Sequence, residues 1–260
     1  DLPAGAYILR AGVLQGDRPT GVQEIRFHIV QPREPFEAVA LPGPLVGGNG
    51  AGFLDVDDDG RLDLYLTRLG DANLFFHNTA DGFAERADEI GLDDRQRGRS
   101  FAAADIDADG DLDVYLVNEA ANALMRNDGG AFAPVAADEA LRDPSPGRGA
   151  AFFDADDDGL LDLYVINAWA PNRLFVRGAE GWREASAELG LDDGANARGL
   201  ALADTDADGD VDLFLANNDG SSRLLADRGE SFVDVTTATG LAGVAGDVAC
   251  AFADYDGDGH

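Results

Sequence analysis

The sequence Asp-x-Asp-x-Asp-Gly occurs five times in this chain, and the copies are spaced about 50 residues apart. They begin at Asp55, Asp105, Asp154, Asp204 and Asp254. A fixed period of this length indicates a repeat architecture, in which each repeat is one small structural unit and neighbouring units bury a shared core. The spacing therefore constrains the fold, and the motif constrains the chemistry.

Each copy has the composition of a cation-binding loop. If the first Asp is position 1, carboxylates stand at positions 1, 3 and 5, and Gly at position 6 allows a sharp reversal with positive φ. Calcium takes six to eight oxygen ligands at roughly 2.3 to 2.6 Å, so alternate short carboxylates and the backbone carbonyl of position 7 suit it. The predicted ligands at positions 1, 3 and 5 are Asp55, Asp57, Asp59; Asp105, Asp107, Asp109; Asp154, Asp156, Asp158; Asp204, Asp206, Asp208; and Asp254, Asp256, Asp258.

The four complete copies continue in the same way. Position 8 is aliphatic, and we expect its side chain to turn toward the core. Position 9 is again Asp, which we predict to close the site from the start of a strand, whereas an EF-hand loop is closed by Glu at position 12. The residues at position 7 are Arg61, Asp111, Leu160 and Asp210, those at position 8 are Leu62, Leu112, Leu161 and Val211, and those at position 9 are Asp63, Asp113, Asp162 and Asp212.

The acidic runs have two other interpretations. A single acidic run is often only a solvated, self-repelling segment. Paired carboxylates can also act in general acid-base catalysis, but carboxylates that face a cation are not free to carry a proton. Recurrence in register favours about one Ca²⁺ for each loop, with some tolerance for Mg²⁺.

Composition limits the partners. The chain has 50 acidic and 19 basic residues, a net charge of -31 and 45% hydrophobic residues, which is apolar enough for a packed core. The basic residues are all Arg and are scattered along the chain, so we expect no nucleic-acid partner, since a phosphate backbone requires clustered cations. No apolar run approaches the ~18 residues of a membrane helix, and we expect no membrane insertion.

Each repeat contains four short apolar segments separated by Gly, Asn and Asp, which is typical of an all-β fold. Four strands in about 50 residues match the blade of a β-propeller. One aromatic residue per repeat (Tyr65, Tyr115, Tyr164, Phe214) is expected to pack between blades, in preference to forming a sugar-stacking row. Trp169 does not recur and is the better candidate for a ligand contact.

The first 34 residues do not follow the period. They contain strand-like runs at 6–10 and 22–30, and 31–35 has the Pro-rich composition of a linker. We therefore predict the tail of an upstream β domain over 1–34 and propeller repeats over 35–260. The segment 36–40 is a candidate for a strand that closes a propeller ring. The chain has no initiator Met and stops at position 7 of the fifth loop, so we expect it to be part of a longer protein.

The motif Asp-x-Asp-x-Asp-Gly-x-x-Asp-Leu-Tyr-Leu, followed by Asn-x-Leu-Phe and Gly-Phe, resembles the FG-GAP/VCBS repeats of integrin-α-like propellers. Bacterial proteins of the cartilage acidic protein type, which often carry an ASPIC/UnbV segment, are most similar. The resemblance covers roughly 36–260. It implies seven blades, of which four to five are present here, calcium in the blade loops, and an extracellular or cell-surface location.

The expected function is a calcium-stabilised scaffold for adhesion or for binding an unidentified protein or carbohydrate, and we expect it to be monomeric and not an enzyme. The alternative is the propeller portion, catalytic or not, of a secreted carbohydrate-active enzyme such as a polysaccharide lyase. The sequence has no Gly-x-Ser-x-Gly, His-Glu-x-x-His or phosphate-loop motif to support catalysis.

Overall fold

The computed structural model describes residues 5–15, 18–29, 41–42, 48–135, 141, 143–243, 246–247 and 249–253, with only the backbone for the first two ranges. The chain divides into two compact units, Asp1–Leu41 and Pro42–His260. The domain boundary predicted after residue 34 stays a prediction, because residues 30–40 lie outside the described part. The same is true of the linker, the ring-closing strand at 36–40 and the fifth Asp loop.

In the first unit, the two strand-like runs form an antiparallel pair, β1 (Gly5–Gln15) and β2 (Arg18–Ile29). The register runs from Gly5 opposite Ile29 to Gln15 opposite Arg18, with a shift between Val13 and Leu14. A β extension at the amino terminus is therefore confirmed for the described residues.

The second unit contains four antiparallel sheets of four strands, each connected in sequence order. We call them blades 1 to 4. Blade 1 has β3 (Gly48–Leu54), β4 (Asp63–Arg68), β5 (Leu74–Thr79) and β6 (Gly82–Glu85); blade 2 has β7 (Gly98–Ala104), β8 (Asp113–Asn118), β9 (Ala123–Asn127) and β10 (Phe132–Pro134); blade 3 has β11 (Gly147–Phe153), β12 (Asp162–Asn167), β13 (Arg173–Gly178) and β14 (Gly181–Glu184); blade 4 has β15 (Ala197–Ala203), β16 (Asp212–Asn217), β17 (Arg223–Ala226) and β18 (Val233–Asp234).

These sheets confirm the prediction of an all-β protein built from propeller blades. A single turn of helix, α1 (Ala87–Ile90), follows blade 1. It is the one helix among the described residues, and nothing helical there could span a membrane.

The hydrophobic cores lie between blades, and each of the three clusters draws residues from two neighbouring blades. Strand alternation explains this, because successive side chains of a central strand point to opposite faces. In β8, Val114 and Leu116 face blade 1, while Tyr115 and Val117 face blade 3. Tyr65, Tyr115 and Tyr164 are fully buried in these clusters, so the prediction that they pack between blades is confirmed for them. The fourth aromatic, Phe214, is only partly buried and packs edge to face on Phe252.

The aliphatic side chains at position 8 of the Asp loops are expected to turn toward the core. Leu112 and Val211 are partly buried and pack against the core shared with the preceding blade, as expected. Leu62 is 56% exposed, which differs from the expectation. Its blade is the first of the four, so no preceding blade covers it within the described residues.

A polar link also joins each blade to the next. The backbone carbonyl of Asp94, in the connection after blade 1, accepts a bond of 2.9 Å from the Asn73 amide, and its carboxylate accepts one of 2.9 Å from Asn118 Nδ2 in blade 2. Asp143 and Asp193 repeat both contacts after blades 2 and 3. One Asp in each connection is thus bonded to two blades.

Removing the Tyr65 hydroxyl tests how much buried hydrogen bonds contribute to the stability of the blades. The hydroxyl donates to the Leu92 carbonyl (3.0 Å) and accepts from Asn73 Nδ2 (2.9 Å). Tyr65→Phe leaves both partners buried and unpaired, so we expect the free energy of unfolding to fall by about 1 to 3 kcal/mol in urea titrations. Ser221→Ala, which removes an exposed hydroxyl, is the matched control and should have little effect. Equal effects of the two changes would contradict this assignment.

Candidate metal centres

Each complete Asp loop connects the end of the first strand of its blade to the start of the second. Asp loop 1 spans 55–62, between β3 and β4, and Asp loops 2, 3 and 4 span 105–112, 154–161 and 204–211. Position 9 is the first residue of the second strand in every blade, as predicted. All four loops therefore lie at the same end of their blades.

The carboxylate at position 1 holds the loop closed. Asp55 Oδ2 accepts a hydrogen bond from the Gly60 amide at 2.8 Å, and the same bond recurs in the other loops at 3.0, 2.9 and 3.1 Å. Gly60 has φ of 80°, and the glycines at position 6 of the other three loops also have positive φ. The predicted reason for glycine at this position is confirmed.

A second reversal was not predicted from the sequence. The residue at position 4 also has positive φ, and in Asp loops 2 and 4 it is an alanine (Ala108 and Ala207, both 60°). For an L-residue with a Cβ atom this conformation costs about 1 to 2 kcal/mol. Two hydrogen bonds hold the loop in this conformation. The position 1 carboxylate accepts the amide of position 6, and the position 5 carboxylate accepts the amide of position 7, at 2.8 Å between Asp158 Oδ1 and Leu160 N.

This folding brings the predicted carboxylates together. In Asp loops 1, 2 and 4, one oxygen each from positions 1, 3 and 5 lie within 4.8 Å of one another, and in Asp loop 3 the group is Asp154, Asp156 and Asp162. Asp154 Oδ1 and Asp156 Oδ1 are buried and have no hydrogen-bond partner in the described part of the chain. Clustered carboxylate oxygens with unused acceptor capacity fit a hard divalent cation such as Ca²⁺.

The aspartate at position 9 has a different environment from the others, because it is almost fully buried in each blade. The two oxygens of Asp162 accept the Ala155 amide (2.9 Å) and the Arg177 amide (2.7 Å). Each oxygen keeps a further lone pair that could reach a cation. The equivalent pairs in the other blades are Val56 and Asn78 on Asp63, Ile106 and Asn127 on Asp113, and Thr205 and Asp227 on Asp212.

Burial and like charge disfavour the ionised state of several of these groups. Desolvation raises the pKa of Asp162 to about 6, with Asp156 and Asp154 adding to the rise. The pKa of Asp156 is raised by burial first and then by Asp158 and Asp154. Burial likewise raises the pKa of Asp113, the position 9 aspartate that follows Asp loop 2. A bound cation would favour the charged forms that the loops alone disfavour.

Two kinds of residue near the loops were missed from the sequence. His77 in β5 places Nδ1 3.1 Å from Asp63 Oδ1 and Nε2 3.7 Å from Asp57 Oδ2, so an imidazole joins the carboxylates of Asp loop 1. Arg228 Nη1 lies 2.9 Å from Asp206 and 3.2 Å from Asp208 in Asp loop 4. Both residues come from a later segment of the blade, which local spacing cannot reveal.

The remaining predicted ligands have separate outcomes. Coordination by the carbonyls of Arg61, Asp111, Leu160 and Asp210 stays a prediction. The Arg61 side chain forms a close ion pair with Asp59. Asp254, Asp256 and Asp258 lie outside the described residues.

A family model described as FG-GAP-like repeat matches the chain four times, over residues 55–116, 105–165, 154–215 and 204–260. No curated protein sequence matches. Among solved structures, BBS1N in complex with ARL6DN is similar at 11% identity and a TM-score of 0.50, covering 75% of this chain and 60% of that one. An Agrocybe aegerita lectin, described as recognising non-reducing terminal N-acetylglucosamine, is 17% identical with a TM-score of 0.48, covering 88% and 65%.

The likeness to BBS1N, a β-propeller, shows the fold alone. The chain spans less than two thirds of the length of either structure. The four family matches start at the first Asp of each complete loop, so the motif and the repeat boundary coincide.

Asp156→Asn separates a metal-binding role from a structural one. In metal-stripped protein at pH 7 the change removes a charge that burial and two neighbouring carboxylates disfavour, so we expect the melting temperature to rise. With saturating calcium the loss of a ligand should lower it, and binding at Asp loop 3 should weaken about tenfold, or 1.4 kcal/mol. Scanning calorimetry of both forms measures this. Asp81→Asn, an exposed change in a turn, is the control and should leave both melts unchanged. If Asp156→Asn shifts the melting temperature in the same direction with and without calcium, a ligand role is contradicted.

The raised pKa values also predict a pH dependence. For Asp162 the pKa rises from 3.8 to about 6 on folding, so between these values the folded chain binds more protons than the unfolded chain. The free energy of unfolding of metal-stripped protein should therefore increase as the pH falls from 7 to 5. Thermal melts after passage over a chelating resin measure it. Saturating calcium should remove or reverse this gain, because calcium and protons compete for the carboxylates. A metal-stripped protein whose stability is flat or falls over this range would contradict the prediction.

Proposed function

The chain belongs to the FG-GAP-like repeat family, and from this premise we propose that it is a calcium-stabilised β-propeller scaffold of a secreted or cell-surface protein. The observation that supports calcium most directly is the recurrence of one carboxylate cluster at the same end of four blades. In Asp loop 3 the cluster also includes two buried oxygens without a hydrogen-bond partner in the described part of the chain.

The role of the metal in this proposal is structural. Bound Ca²⁺ would supply the positive charge that allows three or four carboxylates to stay ionised within one short loop. The chain supplies the rest: the position 1 carboxylate closes the loop, and the position 9 carboxylate fixes it to the second and third strands. Each ion would also offset part of the net charge of -31.

The proposed extracellular location sets the calcium affinity that we expect. FG-GAP repeats are typical of extracellular proteins, and extracellular calcium modules have Kd values of around 10⁻⁴ to 10⁻³ M.

We propose that the scaffold is monomeric, has no catalytic activity of its own, and binds a protein or carbohydrate in adhesion. Propeller blades vary most in their connecting segments, so we place the partner's contacts there and not in the Asp loops, which are nearly identical.

Calcium titration tests the proposal. We expect isothermal titration of metal-stripped protein to show about four sites, one for each complete loop. A ligand at ten times its Kd stabilises by about 1.4 kcal/mol per site, so several sites should raise the melting temperature by many degrees and EDTA should reverse the gain. Magnesium at the same concentration is the control and should stabilise less, because it demands a tighter octahedral site. Fewer than three sites, or a melt that calcium leaves unchanged, would contradict the proposal.

A further inference from the structure

Three arginines occupy equivalent positions in successive blades. Arg99, Arg148 and Arg198 are each the second residue of the first strand of their blade, and blade 1 has Asn49 at this position. Together with Gly50 and Ser100 they line one cleft of about 290 Å³. These three arginines are far apart along the sequence, but the fold brings them together in one cleft.

The cleft lies at the opposite end of the blades from the Asp loops. Arg148 stands at the start of β11 and Asp154 follows its end. Asp154 follows Arg148 by six residue steps along an extended strand, which corresponds to about 20 Å. Surface charges farther apart than roughly 8 to 10 Å are largely screened at physiological salt. The loop carboxylates therefore do not neutralise the three guanidinium groups.

The carboxylates seen to interact with these arginines already have partners. Glu119 pairs with Arg97 and Arg99, and Asp219, whose charge Arg148 senses, accepts the Asn196 amide at 2.8 Å. Within the described residues, Arg148 and Arg198 have no carboxylate at ion-pair distance.

Arg148 is the most constrained of the three. Its Nε atom is buried and has no hydrogen-bond partner among the described residues. Burial lowers the pKa of its guanidinium, and the charges of Arg198 and Arg99 lower it further. Like charges held together in a partly desolvated cleft destabilise the protein unless an anion joins them.

Trp169 lies against Arg148, one of the arginines that line the cleft. It is 79% exposed, has φ of 65°, and lies with its ring 5.8 Å from Arg148 Cζ, within cation-π distance. The adjacent Ala168 amide donates to the Pro146 carbonyl (2.7 Å), which fixes this turn beside the start of β11. A large exposed aromatic in a left-handed conformation is unusual for an L-residue. Here it places a flat apolar surface beside the Arg148 guanidinium.

We propose that this cleft binds a small molecule that carries carboxylate or sulfate groups. Arg148 and Arg198 supply planar donor forks that match an oxyanion in bidentate geometry, and Arg99 supplies a third guanidinium already oriented by Glu119. The exposed ring of Trp169, which stands over the Arg148 guanidinium, would then contact a ligand bound at Arg148. This site adds a ligand class to the binding role proposed above, and it does not depend on whether the Asp loops hold calcium.

Trp169 also provides the measurement. We would titrate the full chain with sodium sulfate and with sodium succinate at constant ionic strength in calcium-containing buffer, following tryptophan fluorescence. The matched neutral probe is succinamide. Arg148→Gln and the exposed Arg198→Gln are the test variants, and Arg126→Gln, on exposed β9 surface, is the control with the same charge change. The chain has a second tryptophan, Trp182 in β14, and Trp169→Phe shows which of the two gives the fluorescence response.

We expect a saturable response to at least one anion and none to succinamide. Both test variants should weaken it at least tenfold, whereas Arg126→Gln should leave it within twofold. A response to succinate alone assigns carboxylates, and a response to sulfate alone assigns sulfate. A response to neither anion, a response that grows linearly, or one that Arg126→Gln weakens equally would overturn the proposal. Calcium titration of the same samples is read separately, so failure of the metal sites and failure of this site are distinguishable.

Discussion

The buried aspartate at position 9 is the contact on which each blade depends. Asp162 is the first residue of β12, yet its two oxygens bind the amide of Ala155 in the loop and the amide of Arg177 in β13. One side chain therefore fixes three segments of the blade. A carboxylate in this place is destabilising by itself, because burial raises its pKa. Two backbone donors offset part of that cost, and a cation near the loop would offset more.

Neighbouring blades are joined by a different combination of forces. Apolar side chains from facing sheets supply most of the stabilisation, but they specify relative position only loosely. Directional bonds add that specificity: Asp143 accepts from Asn122 of blade 2 through its carbonyl and from Asn167 of blade 3 through its carboxylate. Small residues allow close approach, as at Gly50, where an added Cβ would lie 2.9 Å from the Arg99 carbonyl.

Properties encoded within one repeat could be predicted from the sequence. The period, the four strands, the carboxylate loop and the glycine at position 6 depend on residues close together in the chain, and recurrence made each of them more secure. The positive φ at position 4 could not be predicted, because Ala108 carries no sign of it. The approach of His77 to Asp63 depends on strand pairing within a blade. The arginine cleft depends on how blades are placed side by side, although the three arginines recur with the period of the loops and that signal was available.

The two ends of the blades present the same physical problem with opposite signs. At one end, local hydrogen bonds force carboxylates together, and at the other end strand packing forces Arg99, Arg148 and Arg198 around one cleft. Neither arrangement is stabilising by itself, since like charges repel most where water is partly excluded. Both persist because cores between blades and buried bonds determine the backbone independently of the charges. A scaffold stabilised in this way can hold charged groups in position before any ligand arrives. If the two proposals hold, the conformational cost of binding a cation at one end and an anion at the other is already met during folding.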